Sequence, residues 1–521
     1  MLNKLFVSTV VSVTSSSILI AKSNRPNIVF LMADDQQAFA MGCMGNKDIH
    51  TPNLDKLANS GTLFTKAYST SPICMPSRAT TITGMYEFKT GCNFSCSPLR
   101  LKDWLNNSYP MILKQNGYFI GFAGKWGIKS DPLMKYETDF DMWGGFKGDS
   151  QGKYQTEMNP SLKKYASKYP HVTRALGAFS SDFIQKAVKQ DKPFCLSISF
   201  KAPHKPHNYI DTEDLKLYDK ITLSKRENYG LKHSGTLAKQ ALLGRQYAQW
   251  YEWQPDRYQE HLKQYYQLIS GVDSVVGKII KELKSTGVYK NTVIIYTSDN
   301  GYALGSHALQ GKTLPYEECS RIPLIVFDGR LESQDKKCNS LVANIDYAPT
   351  ILSIAGITPP PRMDGKSLLP LLKDSSKTLH NSILLIQNWG INGSETNKCL
   401  AILKGDYKYI FWPYGDENIT PTEELYNTAN DKYEDRNILL TNSPQPETLF
   451  EMRKLYDINL KRWSENAVNS KYKESQKLFD RTIPYKDKNF RLPRKYVTKA
   501  IYEEVIGEKA PIGFKEAKQK K

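Results

Sequence analysis

Long apolar runs are missing from the body of this chain. No internal stretch of ~20 apolar residues occurs, so no internal segment is built to cross a membrane as a helix. Cysteine is sparse: Cys43, Cys74, Cys92, Cys96, Cys195, Cys319, Cys338 and Cys399 are the eight among 521 residues. That density excludes a disulfide-knit scaffold, and no pair of C-x-x-C motifs with zinc spacing is present. Cys92 and Cys96 are close enough in sequence to bridge, which spacing does not decide; Cys195 lies in an apolar run and reads as a buried small hydrophobe. With 32 glycines and 27 prolines, collagen-like and low-complexity compositions are also excluded, and no internal repeat is visible. Negative charge is the scarcer sign, 53 Asp and Glu against 71 Lys and Arg, a net charge of +18. Such an excess suits an anionic partner, with nucleic acid, acidic glycan and lipid headgroups all open, and equally a surface simply solvated by lysine. Part of it sits in the tail from Lys509 to Lys521.

What is present is enough for a large core. A 40% hydrophobic and 11% aromatic content excludes global disorder, and the length implies two or more folding units or one large unit with an appendage. At the N-terminus Lys4 precedes a Ser- and Thr-diluted apolar run, Leu5 to Ile20, and polar sequence starts at Lys22. This predicts an export leader over 1–22, cleaved near Ala21, and hence a periplasmic or secreted protein; the run is too short and Ser-rich for an anchor.

Apolar runs then alternate with helical patterns. Strands are predicted over Asn27–Met32, Thr62–Tyr68, Tyr118–Ala123, Phe194–Phe200, Thr292–Thr297 and Leu324–Phe327, apolar along most of their length and so buried on both faces. Helices are predicted over Asn53–Asn59, Pro76–Thr83, Tyr109–Gln115, Tyr258–Lys284 and Asp346–Ile354. In the long one Leu262, Tyr265, Tyr266, Ile269, Val272, Val276 and Ile280 recur every 3 to 4 residues. The fold class is α/β: a large, mostly parallel central sheet flanked by helices over 23–385, with a smaller C-terminal α+β subdomain over 386–521. Residues 201–257 form a long polar, basic and aromatic loop in which Trp250, Tyr251, Trp253 and Arg257 suit either sugar stacking or plain anchoring.

Chemistry gathers where strands end. Asp34-Asp35 follows the first strand, and two adjacent carboxylates are costly to hold together unless a cation neutralises them, although an isolated pair can equally cap or face solvent. Asp299-Asn300 follows the strand TVIIYTS in the same way, and in an open α/β sheet the ligand crevice lies beyond the carboxyl ends of the strands. All-oxygen donors favour calcium or magnesium over zinc. Cys74-Met75-Pro76-Ser77-Arg78 enters a helix whose N-terminus can bind an anion, with Arg78 able to fork an oxyanion. Gly124-Lys125-Trp126, Ala202-Pro203-His204 and Gly311-Lys312 fall on the same rim.

In combination these segments resemble the type I sulfatase family, formylglycine-dependent enzymes of the alkaline phosphatase superfamily. NIVFLMADDQ, CMPSRATTITG, GFAGKW, PFCLSISFKAPHKPH, YTSDNG, GSHALQGKTLPYEECSRIPLI and NIDYAPTILSIAG occur in the family's order across residues 25–375, and EELYNTANDKYEDRNIL is similar to its C-terminal strand and turn. The resemblance implies that a maturation enzyme oxidises Cys74 to formylglycine (3-oxoalanine), whose hydrate offers one oxygen to attack sulfur and a second to expel sulfate. It implies a calcium ion held by Asp34, Asp35, Asp299, Asn300 and the residue 74 oxygen. Arg78, Lys125 and Lys312 would surround the sulfate, His204 would protonate the leaving oxygen, and His307 would neighbour the substrate. The implied substrate is a sulfated carbohydrate, with no nucleic acid and no membrane span. A phosphonate monoester or phosphodiester hydrolase of the same superfamily, or a catalytically weak glycan-binding relative, are the alternatives. One position departs from the pattern: relatives with G-K-x-H carry a histidine where this chain has Gly127. Gly127→His is therefore expected to raise turnover if the cavity admits an imidazole.

Overall fold

The computed structural model describes residues 25–146, 154–388, 398–442, 445–488, 497–511 and 514; the expected leader and most of the basic tail lie outside them. The strands of the main unit are β1 (Asn27–Asp34), β2 (Thr62–Phe64), β3 (Ala67–Tyr68), β4 (Phe119–Lys125), β5 (Met142–Phe146), β6 (Phe194–Pro203), β7 (Thr292–Ser298), β8 (Leu324–Asp328), β9 (Lys337–Cys338) and β10 (Val342–Ala343). Eight of them form one sheet in the order β5-β4-β6-β1-β7-β8-β2-β9. Pairing is parallel from β5 through β7, while β8 runs antiparallel to both β7 and β2. The mostly parallel α/β expectation is met.

The strands are apolar on both faces because both are covered. Ile28, Phe30 and Met32 of β1 join one hydrophobic layer with Ile120, Val293 and Ile295, packed by the helices Tyr109–Gln115 and Tyr347–Ile354. Val29 and Leu31 point the other way, into a layer with Leu196, Ile294 and the helices Val172–Ala187 and Pro255–Ser285. In that last, 31-residue helix the expected stripe holds as far as Val276, after which Ile279 is buried and Ile280 only half-buried, because 3.6-residue periodicity drifts off a straight seam. Cys195 is buried in the first layer as expected, and all eight cysteines are free thiols, Cys92 and Cys96 included.

Two expectations change. Thr62–Tyr68 is not one strand: β2 stays in the main sheet, whereas β3 pairs with β10 in a separate two-stranded ribbon. The break falls at Thr65, whose hydroxyl donates to Asn339 Oδ1 at 2.6 Å. Residues 201–257 are a chain of short turns rather than an open loop, among them Leu231–Thr236, Arg245–Ala248 and Trp250–Trp253. Trp253, at 0% exposure, packs against Tyr258, His207, His261 and Tyr302, which makes it an anchor.

The C-terminal unit is a four-stranded antiparallel sheet, β11 (Ile383–Gln387), β12 (Cys399–Lys404), β13 (Tyr407–Trp412) and β14 (Thr422–Asn427), backed by the helix Pro446–Asn466. The boundary expected between 385 and 386 falls inside β11. Among the described residues no helix is long and apolar enough to cross a membrane.

Candidate active site

The carboxyl ends of β1 and β7 build the floor. These strands are parallel neighbours with Ala33 opposite Ser298, so Asp34-Asp35 and Asp299-Asn300 leave the sheet side by side. Carboxylate oxygens of Asp34, Asp35 and Asp299 lie within 4.8 Å of one another, all buried. Asp35 takes a left-handed backbone, φ 71°, and its N–H donates to Asp299 Oδ1 at 3.1 Å. Asn300 Nδ2 donates to Asp35 Oδ1 at 2.7 Å. The helix α1 (Cys74–Thr83) starts directly above, its Ser77 hydroxyl donating to the Asp299 carbonyl. Cys74 Sγ consequently stands 3.4 Å from Asp34 Oδ1.

Cations close the cluster. Lys125, the last residue of β4, places Nζ 2.5 Å from Asp34 Oδ2 and 3.4 Å from Cys74 Sγ. Lys312 Nζ is 2.5 Å from Asp35 Oδ1 and 2.7 Å from the same sulfur. His204, just past β6, sets Nε2 3.8 Å from Asp35 Oδ2, with Nδ1 2.7 Å from the Lys205 carbonyl. Of the expected site residues, all but His307 are thus brought together.

Two of them are oriented differently from expectation. Arg78 reaches the cluster, but its fork is turned into the protein: Nε donates to Asp299 Oδ2 at 2.9 Å, and Nη1 donates to the Lys125 carbonyl at 2.8 Å and to Ser199. It braces a floor carboxylate and the backbone of a lysine. His307 lies apart, 1% exposed, with Nδ1 facing the His233 carbonyl at 3.0 Å and Nε2 the Tyr433 carbonyl at 2.8 Å. Both ring nitrogens are engaged within the protein, leaving neither for a ligand.

Burial and charge set the protonation states. Burial opposes ionisation of Asp34, yet Lys125, with His204, Arg78 and Lys312 behind it, holds that carboxyl well below the usual range. Burial, and then the Asp34 charge, push Asp299 up to about 7. Burial also brings His204 down to about 4 against the pull of Asp35 and Asp34. The Cys74 thiol is raised, chiefly by burial and next by Asp34. An unmodified Cys74 is therefore a neutral thiol at physiological pH, without the thiolate that makes cysteine a nucleophile.

The donors left over fit a hard cation. Asp35 Oδ2 and Asn300 Oδ1 are buried and accept no hydrogen bond, which is costly unless something positive satisfies them. A carboxylate oxygen and an amide oxygen so placed beside the Asp34 and Asp299 carboxylates are calcium donors in type.

Gly127 explains itself in the structure. Its φ is +62°, and a Cβ built there would stand 2.8 Å from Arg78 Cδ and 3.4 Å from Lys125 Cε. The position does aim at the site, but Arg78 fills the space. The sequence expectation for Gly127→His is thereby reversed. Gly127→Ala should already lower sulfate release roughly 10–100-fold by displacing Arg78 and cost about 1–2 kcal/mol in the left-handed backbone; Gly127→His should do no better. Thermal melting and sulfate release on both variants check this, and faster turnover by either would contradict it.

Sequence reading missed the supports of Lys312. Lys408 of β13 is 0% exposed and points Nζ at the Pro315 carbonyl (2.9 Å), Glu317 Oε1 (2.7 Å) and Glu434 Oε1 (2.7 Å). Glu434 accepts from the Glu317 N–H, and Glu424 of β14 accepts from Tyr316 Oη. The C-terminal sheet thus grips the segment that follows Lys312. A lone lysine in a short strand carries no local signal of this, since its partners are far away in sequence.

Comparison with known proteins agrees with the geometry. Residues 26–357 match the family model described as Sulfatase, and residues 305–459 match N-sulphoglucosamine sulphohydrolase, C-terminal. The chain is 28% identical over 414 residues to an N-acetylglucosamine-6-O-sulfatase of Bacteroides thetaiotaomicron, covering 68% of this chain and 72% of that one. It is 25% identical over 445 residues to an ulvan-active sulfatase of Formosa agariphila, covering 82% and 79%. In fold it is similar to a protein solved in complex with its substrate D-glucosamine-2-N,6-O-disulfate, at TM-score 0.69 and 24% identity over 86% of this chain and 100% of that one. With the family match spanning more than half of its length, this chain belongs to the sulfatase family and is a sulfuric ester hydrolase.

Proposed function

We propose that this sulfatase removes sulfate from a sulfated carbohydrate, a polysaccharide or its oligosaccharides, and works in the periplasm or outside the cell. The observation that carries the reading is the convergence of the Lys312 and Lys125 ammoniums on residue 74, at 2.7 and 3.4 Å, over a floor of three carboxylates. The carbohydrate substrate is supported by the sulfated sugars and glycans named for the relatives, and by a net charge of +18 that draws polyanions toward the surface.

On this reading a maturation enzyme recognises C-M-P-S-R and converts Cys74 to formylglycine, which supplies a hydrated-aldehyde hydroxyl as nucleophile in place of a thiol that burial keeps neutral. Asp34, Asp35, Asp299 and Asn300, with the residue 74 oxygen, would hold a calcium ion, which supplies positive charge beside the reacting group. The chain's own groups do the rest. Lys125 and Lys312 bind the sulfate oxygens and stabilise charge developing on them. Arg78 keeps Asp299 and the Lys125 backbone in place, so a lysine there would lose the fork that does both. His204 stands at the mouth of the site, 19% exposed, where it can pass a proton to the departing alcohol.

The test is sulfate release from defined sulfated oligosaccharides, run beside a phosphodiester and a phosphonate monoester, with mass spectrometry of the peptide containing residue 74. A faster rate on the phosphorus esters, or glycan binding without any release, would overturn the reading. Metal removal gives a separate expectation: exhaustive chelation should lower the rate at least ~100-fold, calcium should restore it, and Asp35→Asn should lower both bound calcium and rate. Full activity in a metal-free preparation would rule out the cation site.

A further inference from the structure

Exposure rises step by step from the floor of the site to its mouth. The Asp34 side chain is 0% exposed, Lys312 11%, His204 19%, Glu252 25% and Lys205 43%. Glu252 belongs to the short turn Trp250–Trp253, in the segment expected from sequence to be a loop. Its Oε2 accepts from Gln310 Nε2 at 2.7 Å and lies 3.4 Å from Lys205 Nζ. Gln310 stands two residues before Lys312, and Lys205 directly follows His204. The carboxylate therefore ties the segment that carries Lys312 to the one that carries His204.

The turn is held firmly. Trp253, its last residue, is completely buried, and Gln310 is fixed a second time by the Tyr302 hydroxyl at 2.8 Å. Tyr251, 39% exposed, lies on the outward side of the same turn. Both contacts of Glu252 fall on Oε2, and among the described residues Oε1 takes no hydrogen bond. A carboxylate fixed at a partly exposed mouth, with one oxygen uncommitted, accepts from a hydroxyl or an ammonium group and repels an anion. Lys125 and Lys312, above the floor, call for the opposite charge in their ligand, so the two ends of the site select different parts of one molecule.

We infer that Glu252 is a specificity-determining residue: it accepts a hydrogen bond from a hydroxyl or amino group of the sugar ring that carries the scissile sulfate, and it disfavours a second sulfate or a carboxylate at that place. This rests on the proposed sulfatase action on carbohydrates. It commits the substrate to a sugar sulfate whose neighbouring position is uncharged or cationic.

The experiment uses the matured full chain with galactose 4-sulfate, galactose 6-sulfate, glucosamine 6-sulfate and N-acetylglucosamine 6-sulfate as sugar probes. The aryl probe is 4-nitrophenyl sulfate, which has no ring hydroxyl. Glu252→Gln keeps the shape and an oxygen for Gln310, so folding is preserved. It should lower kcat/KM on the sugar that the wild type cleaves fastest by roughly 10–100-fold, with a much smaller loss on the aryl ester. Glu252→Asp, which withdraws the carboxylate by one methylene, should show the same split. Equal losses on sugar and aryl esters would mean that Glu252 only holds the turn, and would overturn the inference, as would a wild type that cleaves the aryl ester and none of the sugars. A wild type that releases sulfate from no probe would instead bring down the proposed function itself.

Discussion

Cys74→Ala should reduce sulfate release by roughly 10⁴-fold or more while leaving the chain folded. Removing a covalent nucleophile costs on this scale because the groups around it act only as a set. Here the set is visible: Lys312, Lys125 and Asp34 are all arranged about the Cys74 sulfur. Folding should survive, since the change deletes one buried sulfur at the start of α1 and breaks no backbone bond, at a cost of about 1–2 kcal/mol. Cys74→Ser is the sharper comparison. It restores an oxygen at the same place, so a nucleophile that needed only a hydroxyl would keep working, whereas one that needs the aldehyde would not. Wild-type rates from the serine variant, made in a host without serine-type maturation, would sink the formylglycine mechanism. Thermal melting of both variants separates lost chemistry from lost fold.

His204→Ala should cost ~10²–10⁴-fold on sugar sulfates and far less on an aryl sulfate. A sugar alkoxide is a poor leaving group and needs a proton as the S–O bond breaks; a phenolate departs without one. On the proposed mechanism His204 supplies that proton. Its Nε2 faces the site 3.8 Å from Asp35 Oδ2, while Nδ1 is held by its own loop at the Lys205 carbonyl. Burial keeps the free ring neutral, so the negative charge of a bound sulfate ester is what would favour its protonated form. Parallel measurement on a sugar sulfate and 4-nitrophenyl sulfate decides the role. Equal losses would show that His204 binds sulfate instead of donating a proton.

Most of the frame was legible because its signals are local. NIVFLMA and TVIIYTS are continuous apolar runs, and both proved to be buried strands whose ends carry Asp34-Asp35 and Asp299-Asn300. What escaped was settled by contacts distant in sequence. Thr62–Tyr68 reads as one strand until Asn339 takes the Thr65 hydroxyl. Arg78 reads as an oxyanion fork until Asp299, Lys125 and Ser199 take its Nε and Nη1 donors. Gly127 reads as a missing base until its left-handed φ and the Arg78 side chain are seen beside it. Glu252 carries no motif, and its position depends on Gln310 and Lys205 approaching from two other segments.

The burial of Lys408 between Glu317 and Glu434 bears on how such a chain can be recombined. The C-terminal sheet looks modular, yet it is not a cassette that can be cut away or exchanged at will. Its loss would take Lys408 from the Glu317 carboxylate and leave it with Arg321 and the Tyr68 hydroxyl, and breaking a buried ion pair costs up to about 3–5 kcal/mol. A crossover with another sulfatase anywhere between Glu317 and Lys408 would have to import matching charges on both sides of the junction. The C-terminal sheet is, in this sense, inherited together with the segment that carries Lys312.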